Sequence, residues 1–355
     1  MVYLWLVIAP SYANEPAVST SFNLNALCAE HLTEGVFFET PNEAQRISEA
    51  TRILEVRLNG LRQYIRVDYP DNKTPKEKVP WIIFAHGRVG PAKAPGWTFN
   101  LSADSYYGDL IRIFREAGFA VALPGYRGHG TVRGRPAEGI EFLEAFDNKS
   151  HLIPFFYAQD LIAAMYALSR EFGTAPFVFS HSQGADASMI ALVSLSARAP
   201  ADHILPLAVS LWSGTLGTRV EQFQFFSRDS ESEQKAKEEI IRHIQHGARR
   251  TQKIEPSQKS VEAFLEACEP KSRLRSVRSP VQIHYADKDP YSPVAWNRGV
   301  QQLLPQNPRH RVHFYPGSDH EFLQTTSSGT LDPSNRYLMM KNTIQFFKEI
   351  ENDLN

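Results

Sequence analysis

Two kinds of hydrophobic pattern follow one another along the chain. Residues 52–58 and 63–69 alternate apolar and polar side chains around Asn59-Gly60, which predicts an antiparallel hairpin at the edge of a sheet. The later strand candidates are short and continuously apolar, as is typical of parallel strands covered on both faces; they are 81–85, 120–123, 177–179, 207–212, 281–285 and 312–315. Helical patterns separate them, at 110–117, 158–172, 185–199, 295–304 and 337–350. The pattern predicts an α/β fold with a doubly wound, mostly parallel sheet of about eight strands.

One segment interrupts this alternation. Between about residues 214 and 280 the sequence is highly charged and helical, with candidate helices at 231–244 and 260–267. We interpret it as a helical cap insertion over the carboxyl ends of the strands, although a solvated surface excursion has the same pattern. The resulting organisation is a main domain over 51–355, preceded by a polar N-terminal extension at 14–50.

The first residues resemble an export signal. An apolar run at 2–9 is followed by Ser11-Tyr12-Ala13, which resembles a signal-peptidase site, but the usual basic segment is missing. Residues 1–13 are therefore interpreted as a truncated signal peptide of an exported protein, with an N-terminal strand of a cytoplasmic protein as the alternative. The two cysteines, Cys28 and Cys268, could form a disulfide after export and would otherwise be inert thiols.

The composition and charge of the chain limit the classes of partner that we expect. The chain has 355 residues, of which 42% are hydrophobic, so it can bury one large core. Its formal net charge of -1 gives no reason to expect nucleic acid or an anionic membrane as a partner. No segment reaches the roughly 18 consecutive apolar residues of a membrane span. We expect a small or neutral substrate; the oligomeric state is not predicted.

The strongest chemical signal is the turn Ser180-His181-Ser182-Gln183-Gly184, which joins an apolar strand to an Ala-rich helix. A serine hydroxyl is a poor nucleophile, and it becomes effective when a sharp strand-to-helix turn exposes it beside a histidine base and backbone N–H donors. Small residues on both sides, Ser180 and Gly184, permit such a turn. Ser182 is the predicted nucleophile; a helix N-cap without chemistry is the alternative interpretation.

The partners of a nucleophilic serine follow in the expected order of serine, acid and histidine. Asp287 and Asp289 come after the seventh predicted strand, and His320 comes after the eighth. We predict Asp289 as the acid and His320 as the base, with Asp287 left open as the acid because spacing does not separate the two carboxylates. His310 and His313 precede or lie within the last strand and are interpreted as structural.

An oxyanion hole requires two backbone N–H groups. We expect one from Gln183, directly after the nucleophile, and the other from Arg88, with Val89 as the alternative, in the turn after residue 85. His86 in that turn is interpreted as a turn-forming residue.

The chain shows no cofactor or metal motif. Residues 125–130 fail as a dinucleotide fingerprint because Arg133 occupies the third glycine position, and Arg127 in this turn is expected to brace loops near the site. A phosphate-binding lysine loop, H-E-x-x-H and paired-cysteine zinc spacing are also missing from the sequence. We therefore expect no cofactor and no metal.

Together, the motifs from about residue 52 to the C-terminus resemble the α/β-hydrolase superfamily, and most closely its dienelactone hydrolase and prolyl-oligopeptidase-like branch. They are His86-Gly87, Arg127-Gly128-His129-Gly130, Ser182 in S-x-S-x-G, Asp289-Pro290 and Asp319-His320. The resemblance implies a serine hydrolase with a Ser-Asp-His triad. Dienelactone hydrolases use a cysteine nucleophile, and oligopeptidases usually carry a β-propeller that this chain has no residues to form. These departures favour cleavage of small carboxylic esters over cleavage of short peptides; a non-catalytic binding protein is the third interpretation.

Overall fold

In this computed structural model, the structure describes residues 41–354 except 59, 72, 74–76, 100–106, 147–150, 198–203, 228–231 and 253–255. The candidate signal peptide at 1–13, most of the N-terminal extension and Cys28 lie outside these residues. The expectations about export and about a disulfide therefore stay predictions.

The described residues contain strands β1 (Asn42–Arg46), β2 (Thr51–Leu58), β3 (Leu61–Asp68), β4 (Trp81–Ala85), β5 (Ala120–Pro124), β6 (Thr131–Val132), β7 (Arg135–Pro136), β8 (Phe177–His181), β9 (Val209–Trp212), β10 (Val281–Ala286), β11 (Arg311–Tyr315), β12 (Gln324–Thr325) and β13 (Leu331–Asp332). They also contain helices α1 (Gly108–Glu116), α2 (Ile140–Ala145), α3 (Ile153–Phe172), α4 (Gln183–Ser196), α5 (Arg219–Ser227), α6 (Glu233–Gln252), α7 (Gln258–Cys268), α8 (Val294–Leu303) and α9 (Ser334–Asn352), with a 3₁₀ helix at Pro270–Ser276. Among these helices, none is both long enough and apolar enough to cross a membrane.

The main sheet has nine strands in the order β1-β2-β3-β5-β4-β8-β9-β10-β11. Leu58 of β2 pairs with Leu61 of β3, so the predicted antiparallel hairpin is confirmed. β3 pairs antiparallel with β5, and all strands from β5 to β11 in this order run parallel. The predicted α/β fold with a mostly parallel sheet is therefore confirmed.

The sheet contains one strand more than the eight predicted. β1 lies within the segment that we interpreted as an extension, and it pairs antiparallel with β2 at the sheet edge. Its residues are exposed or half-buried, so its sequence carries no clear alternation of apolar and polar side chains. The sheet therefore begins before the predicted domain boundary at residue 51.

Helices cover the parallel strands on both faces. In β4, Ile83 and Ala85 pack in the core that contains α3 and α4, whereas Ile82 and Phe84 pack in the core that contains α1 and α9. Both sets of side chains are buried, which is why the sequences of these strands are continuously apolar.

Helices α5, α6 and α7 occupy the predicted insertion between β9 and β10. The apolar face of α6, with Ile240 and Ile244, joins the larger core. A Cβ on Gly247 of α6 would lie 2.3 Å from a ring carbon of Phe146, so glycine allows α6 to approach the segment after α2. The insertion is therefore packed against the main body; its role as a cap over the site stays a prediction.

Candidate active site

Ser182 lies at the sharp turn between β8 and α4. Its backbone has φ 56° and ψ -124°, a strained conformation for a residue other than glycine that costs on the order of 1–3 kcal/mol. Gly184 makes the turn sterically feasible, because a Cβ there would lie 2.3 Å from the carbonyl oxygen of Ala85 and 2.4 Å from that of His86. The sequence thus places its small residue where the first turn of α4 passes the end of β4.

Ser180, the other serine of the motif, has different surroundings. Its side chain is buried, and its hydroxyl donates a 3.3 Å hydrogen bond to the carbonyl oxygen of Ser210 in the neighbouring strand. Ser182 is half-buried and stands beyond the end of the strand. The structure therefore gives Ser182, and not Ser180, the exposure that a nucleophile needs.

His320 and Asp289 meet at the carboxyl edge of the sheet, on the loops after β11 and β10. The Nδ1 atom of His320 lies 2.8 Å from each carboxylate oxygen of Asp289. Oδ1 of Asp289 also accepts backbone N–H groups from Tyr291 at 2.8 Å and Ser292 at 3.0 Å, and the carboxylate is fully buried. A carboxylate held in this way keeps the imidazole proton on Nδ1 and leaves Nε2 able to accept a proton.

Asp287, the alternative acid, is engaged elsewhere. It is exposed, and its Oδ1 accepts the backbone N–H of Gly317 at 2.6 Å, which ties the loop after β10 to the loop after β11. The structure therefore brings Asp289 to His320 and assigns Asp287 a loop contact.

The remaining candidate histidines near the last strands have structural contacts. His310 Nδ1 accepts the backbone N–H of Val281 at 2.9 Å, and His313 Nε2 lies 2.9 Å from the amide nitrogen of Gln282. Both contacts join the adjacent strands β10 and β11 or their ends. This agrees with their interpretation as structural residues.

The two predicted oxyanion donors lie on the two backbone segments that border Ser182. Gln183 is the first residue of α4, and the N–H groups of a first helical turn point out of its N-terminus. Arg88 follows Gly87, whose added Cβ would lie 3.2 Å from the Cβ of Ser182. We call residues 86–90 the oxyanion loop; the role of the Arg88 and Gln183 N–H groups stays a prediction.

Two buried histidines, His86 within this loop and His129 outside it, form hydrogen bonds with the backbone of the loop. His86 stacks on Trp97 with ring centroids 4.7 Å apart, and its Nδ1 lies 2.7 Å from the carbonyl oxygen of Gly87. Burial lowers the pKa of His86 to about 3 and that of His129 to about 4. His129 also hydrogen-bonds the backbone of Val89. Both rings are neutral at ordinary pH and act as fixed hydrogen-bonding groups.

Arg127 braces the neighbouring turn, as expected from the sequence. Its guanidinium lies 2.8 Å from Asp160 of α3, and both side chains are buried. The same carboxylate accepts the backbone N–H of Arg127 at 2.9 Å. The pair fixes the 125–130 turn to α3.

Sequence reasoning missed three polar side chains beside the predicted triad: Tyr107, His181 and Glu321. His181 occupies the unspecified position of the S-x-S-x-G motif, and Tyr107 comes just before α1, so neither has a signal in the sequence. Glu321 follows His320 directly, and this adjacency is the one sequence feature that could have indicated it. Burial raises the pKa of Glu321 to about 7.

Within the described residues, a group of three potential metal ligands includes the predicted base. His181, His320 and Glu321 each offer one ligand atom, and these atoms lie within 4.8 Å of one another. Nδ1 of His320 is held by Asp289, and Nδ1 of His181 lies 3.0 Å from the hydroxyl of Tyr107. A cation at this point would therefore need both Nε2 atoms and would compete with the use of His320 as a base.

A comparison with protein-family models matches residues 246–351 to the dienelactone hydrolase family. This segment contains Asp289 and His320 but not Ser182. A comparison with curated protein sequences gives no significant match.

Solved structures extend the likeness over most of the chain. Acetyl xylan esterase 1 from Thermoanaerobacterium sp. JW/SL YS485 has a TM-score of 0.54 and 13% identity, covering 90% of this chain and 94% of that one. The chain has the α/β-hydrolase fold. Est1E from Butyrivibrio proteoclasticus, solved with ferulic acid, has a TM-score of 0.50 and 15% identity, covering 82% of this chain and 97% of that one. A puromycin hydrolase has a TM-score of 0.51 and 15% identity; the match covers 88% of this hydrolase-fold chain but 39% of the longer neighbour.

Proposed function

We propose that the protein is a serine hydrolase that cleaves carboxylic esters through an acyl-enzyme intermediate. The observation that carries this proposal is the strained backbone of Ser182 at the strand-to-helix turn, with φ 56°. Such strain is retained where the surrounding structure enforces it, and it is concentrated at functional sites. The 2.8 Å contact between His320 and Asp289 at the same edge of the sheet supplies the base and its orienting acid.

In the proposed mechanism, the Ser182 hydroxyl attacks the ester carbonyl while Nε2 of His320 removes its proton. Asp289 holds His320 in the required tautomer and stabilises the imidazolium that forms. The backbone N–H groups of Gln183 and Arg88 bind the oxyanion. His320 then protonates the departing alkoxide, and a water molecule activated by the same histidine hydrolyses the acyl-serine.

Ester cleavage is preferred to peptide cleavage because the fold neighbours of similar length include an acetyl xylan esterase and Est1E with bound ferulic acid. The puromycin hydrolase neighbour favours a peptidase as the second candidate, but that protein is more than twice as long as the matched region. A peptidase acting on short peptides would need carboxylates to bind the substrate amine. A cavity of about 540 Å³ between α5, α6 and α7 is lined by glutamates, which are residues of the required charge. One of them, Glu221, already pairs with Lys271 at 2.8 Å, so this carboxylate is engaged and does not favour the cavity as an amine-binding site.

A fluorophosphonate probe tests the proposal even while the substrate is unidentified, because it labels activated serines. We expect labelling of the wild-type protein and of Ser180→Ala, and loss of labelling in Ser182→Ala. Labelling that persists in Ser182→Ala would refute the assigned nucleophile. A folded wild-type protein that is not labelled and hydrolyses no ester would favour a non-catalytic binding protein.

A substrate panel then separates the two hydrolase classes. We expect p-nitrophenyl acetate and butyrate to be cleaved with higher kcat/KM than aminoacyl arylamides. Comparable or faster cleavage of the arylamides would favour the peptidase.

A further inference from the structure

We propose that Tyr107 and His181 are positioning residues that fix the oxyanion loop relative to the strand-to-helix turn that carries Ser182. The inference rests on the proposed serine hydrolase function, because it concerns the geometry of the same site. It assigns a role to two side chains that the mechanism above does not use.

Through Tyr107 and His181, a hydrogen-bonded chain joins two segments of the site, the oxyanion loop and the turn that carries Ser182. The backbone N–H of Gly87 donates to the hydroxyl oxygen of Tyr107 at 2.9 Å. The Tyr107 hydroxyl lies 3.0 Å from Nδ1 of His181. On the other side of the ring, Nε2 of His181 lies 3.6 Å from Oε1 of Glu321, which is longer than a hydrogen bond.

These contacts define where each proton lies. The N–H of Gly87 can only donate, so the Tyr107 oxygen accepts it and its own O–H points to His181 Nδ1. A neutral His181 then carries its proton on Nε2, on the side of the ring that faces Glu321. Every link of the chain has one donor and one acceptor, and successive bonds of this kind polarise one another.

Burial keeps the chain in this state. Tyr107 is 7% exposed and His181 is 1% exposed. Burial holds the pKa of His181 well below its ordinary value and raises that of Tyr107, so both side chains are neutral over the physiological pH range. Ring contacts fix both side chains: His181 stacks on Trp212 at 3.9 Å, and Tyr107 packs edge-on against Phe84 at 4.8 Å.

As a consequence, the distance between the oxyanion loop and Ser182 is fixed. Gly87 belongs to the oxyanion loop, and His181 directly precedes Ser182. A displacement of about 1 Å between such groups can reduce the rate on the order of 100-fold. An unpartnered N–H of Gly87 would also cost about 1–3 kcal/mol in a buried position, which would allow the loop to shift.

The test uses Tyr107→Phe and His181→Phe, which keep an aromatic ring and remove its hydrogen bonds. For each variant we expect kcat for p-nitrophenyl acetate to fall by about 10- to 100-fold, with KM changed by less than about threefold, because only transition-state stabilisation is lost. The double variant should be no worse than the more severe single variant, because both substitutions break one chain. The matched control is Tyr315→Phe, which removes the 2.9 Å contact between another buried tyrosine and His284.

Rates within about threefold of wild type in both single variants would overturn the proposal. So would losses that multiply in the double variant, or an equal loss of kcat in Tyr315→Phe.

A second measurement tests the chain without turnover. In ¹⁵N spectra of histidine-labelled protein, we expect His181 in the Nε2–H tautomer, with an Nδ1 resonance that shifts in Tyr107→Phe. A charged His181 or the opposite tautomer in the wild-type protein would refute the chain, whereas the expected spectrum in an inactive wild-type protein would refute only the proposed function.

Discussion

Replacing Asp289 by asparagine should remove the base function of His320 while leaving the shape of the loop unchanged. Oδ1 of Asp289 accepts two backbone N–H groups, from Tyr291 and Ser292, so an asparagine oxygen would be retained at that position. The new NH₂ group would then occupy the position of Oδ2, 2.8 Å from Nδ1 of His320. Oδ1 is also 2.8 Å from Nδ1 but already accepts two backbone N–H groups, so the donor at the Oδ2 position favours the tautomer in which Nδ1 accepts and the imidazole proton lies on Nε2. His320 in that tautomer cannot take the proton of Ser182.

The expected size of the effect follows from this tautomer change. In a serine protease, an asparagine that imposes the wrong tautomer on the catalytic histidine lowers kcat by roughly 10⁴-fold. That loss corresponds to about 5 kcal/mol of transition-state stabilisation. KM should change little, because Asp289 is fully buried and does not face the substrate.

The assay is kcat and KM for p-nitrophenyl acetate, with thermal unfolding measured on the same samples. Asp287→Asn is the matched control, since it changes a carboxylate two residues away that contacts Gly317 instead of His320. We expect this control to stay within about tenfold of the wild-type kcat. A folded Asp289→Asn variant with comparable activity, or a greater loss in Asp287→Asn, would refute the reasoning.

Two further predictions concern stability. Gly184→Ala should lower the free energy of unfolding in urea by about 1–3 kcal/mol, because its Cβ would overlap two carbonyl oxygens at 2.3 and 2.4 Å. The control Gly96→Ala, whose added Cβ has its nearest atom at 3.8 Å, should change this free energy by less than about 0.5 kcal/mol. Equal effects of the two substitutions would contradict the prediction. The free energy of unfolding should also fall as the pH decreases from about 6.5 to about 4. In the folded protein, burial lowers the pKa of His86 to about 3 and that of His129 to about 4, so in this pH range the unfolded chain binds protons at these histidines that the folded chain does not. Each histidine contributes up to about 1.4 kcal/mol per pH unit to the slope of unfolding free energy against pH in this window. His129→Gln should therefore reduce this slope, measured by urea unfolding, by about that amount. An unchanged slope would contradict the lowered pKa of His129.

Local patterns were sufficient for the sheet and its helices where burial is uniform. β4, β5 and β8 are covered on both faces, so their sequences are continuously apolar and easy to recognise. β1 escaped prediction because an exposed edge strand, paired on one side, needs no apolar face. Helix α5 escaped for a related reason: polar residues such as Gln222, whose Nε2 donates a hydrogen bond to Asp186, are buried there, so the sequence pattern does not show the inward face of the helix.

Spacing along the chain was sufficient for the order of the central strands and most of their helices, for the strand-to-helix turn at Ser182, and for the presence of a histidine and two carboxylates on the last loops. These properties depend on neighbouring residues, whose spacing is visible in one dimension. Three-dimensional contacts were needed to show that Asp289 rather than Asp287 meets His320, and that Tyr107 and His181 join the oxyanion loop to the turn that carries Ser182. Such contacts bring together residues 20 to 74 positions apart, and hydrogen bonds depend on distances of a few tenths of an ångström that sequence spacing does not encode.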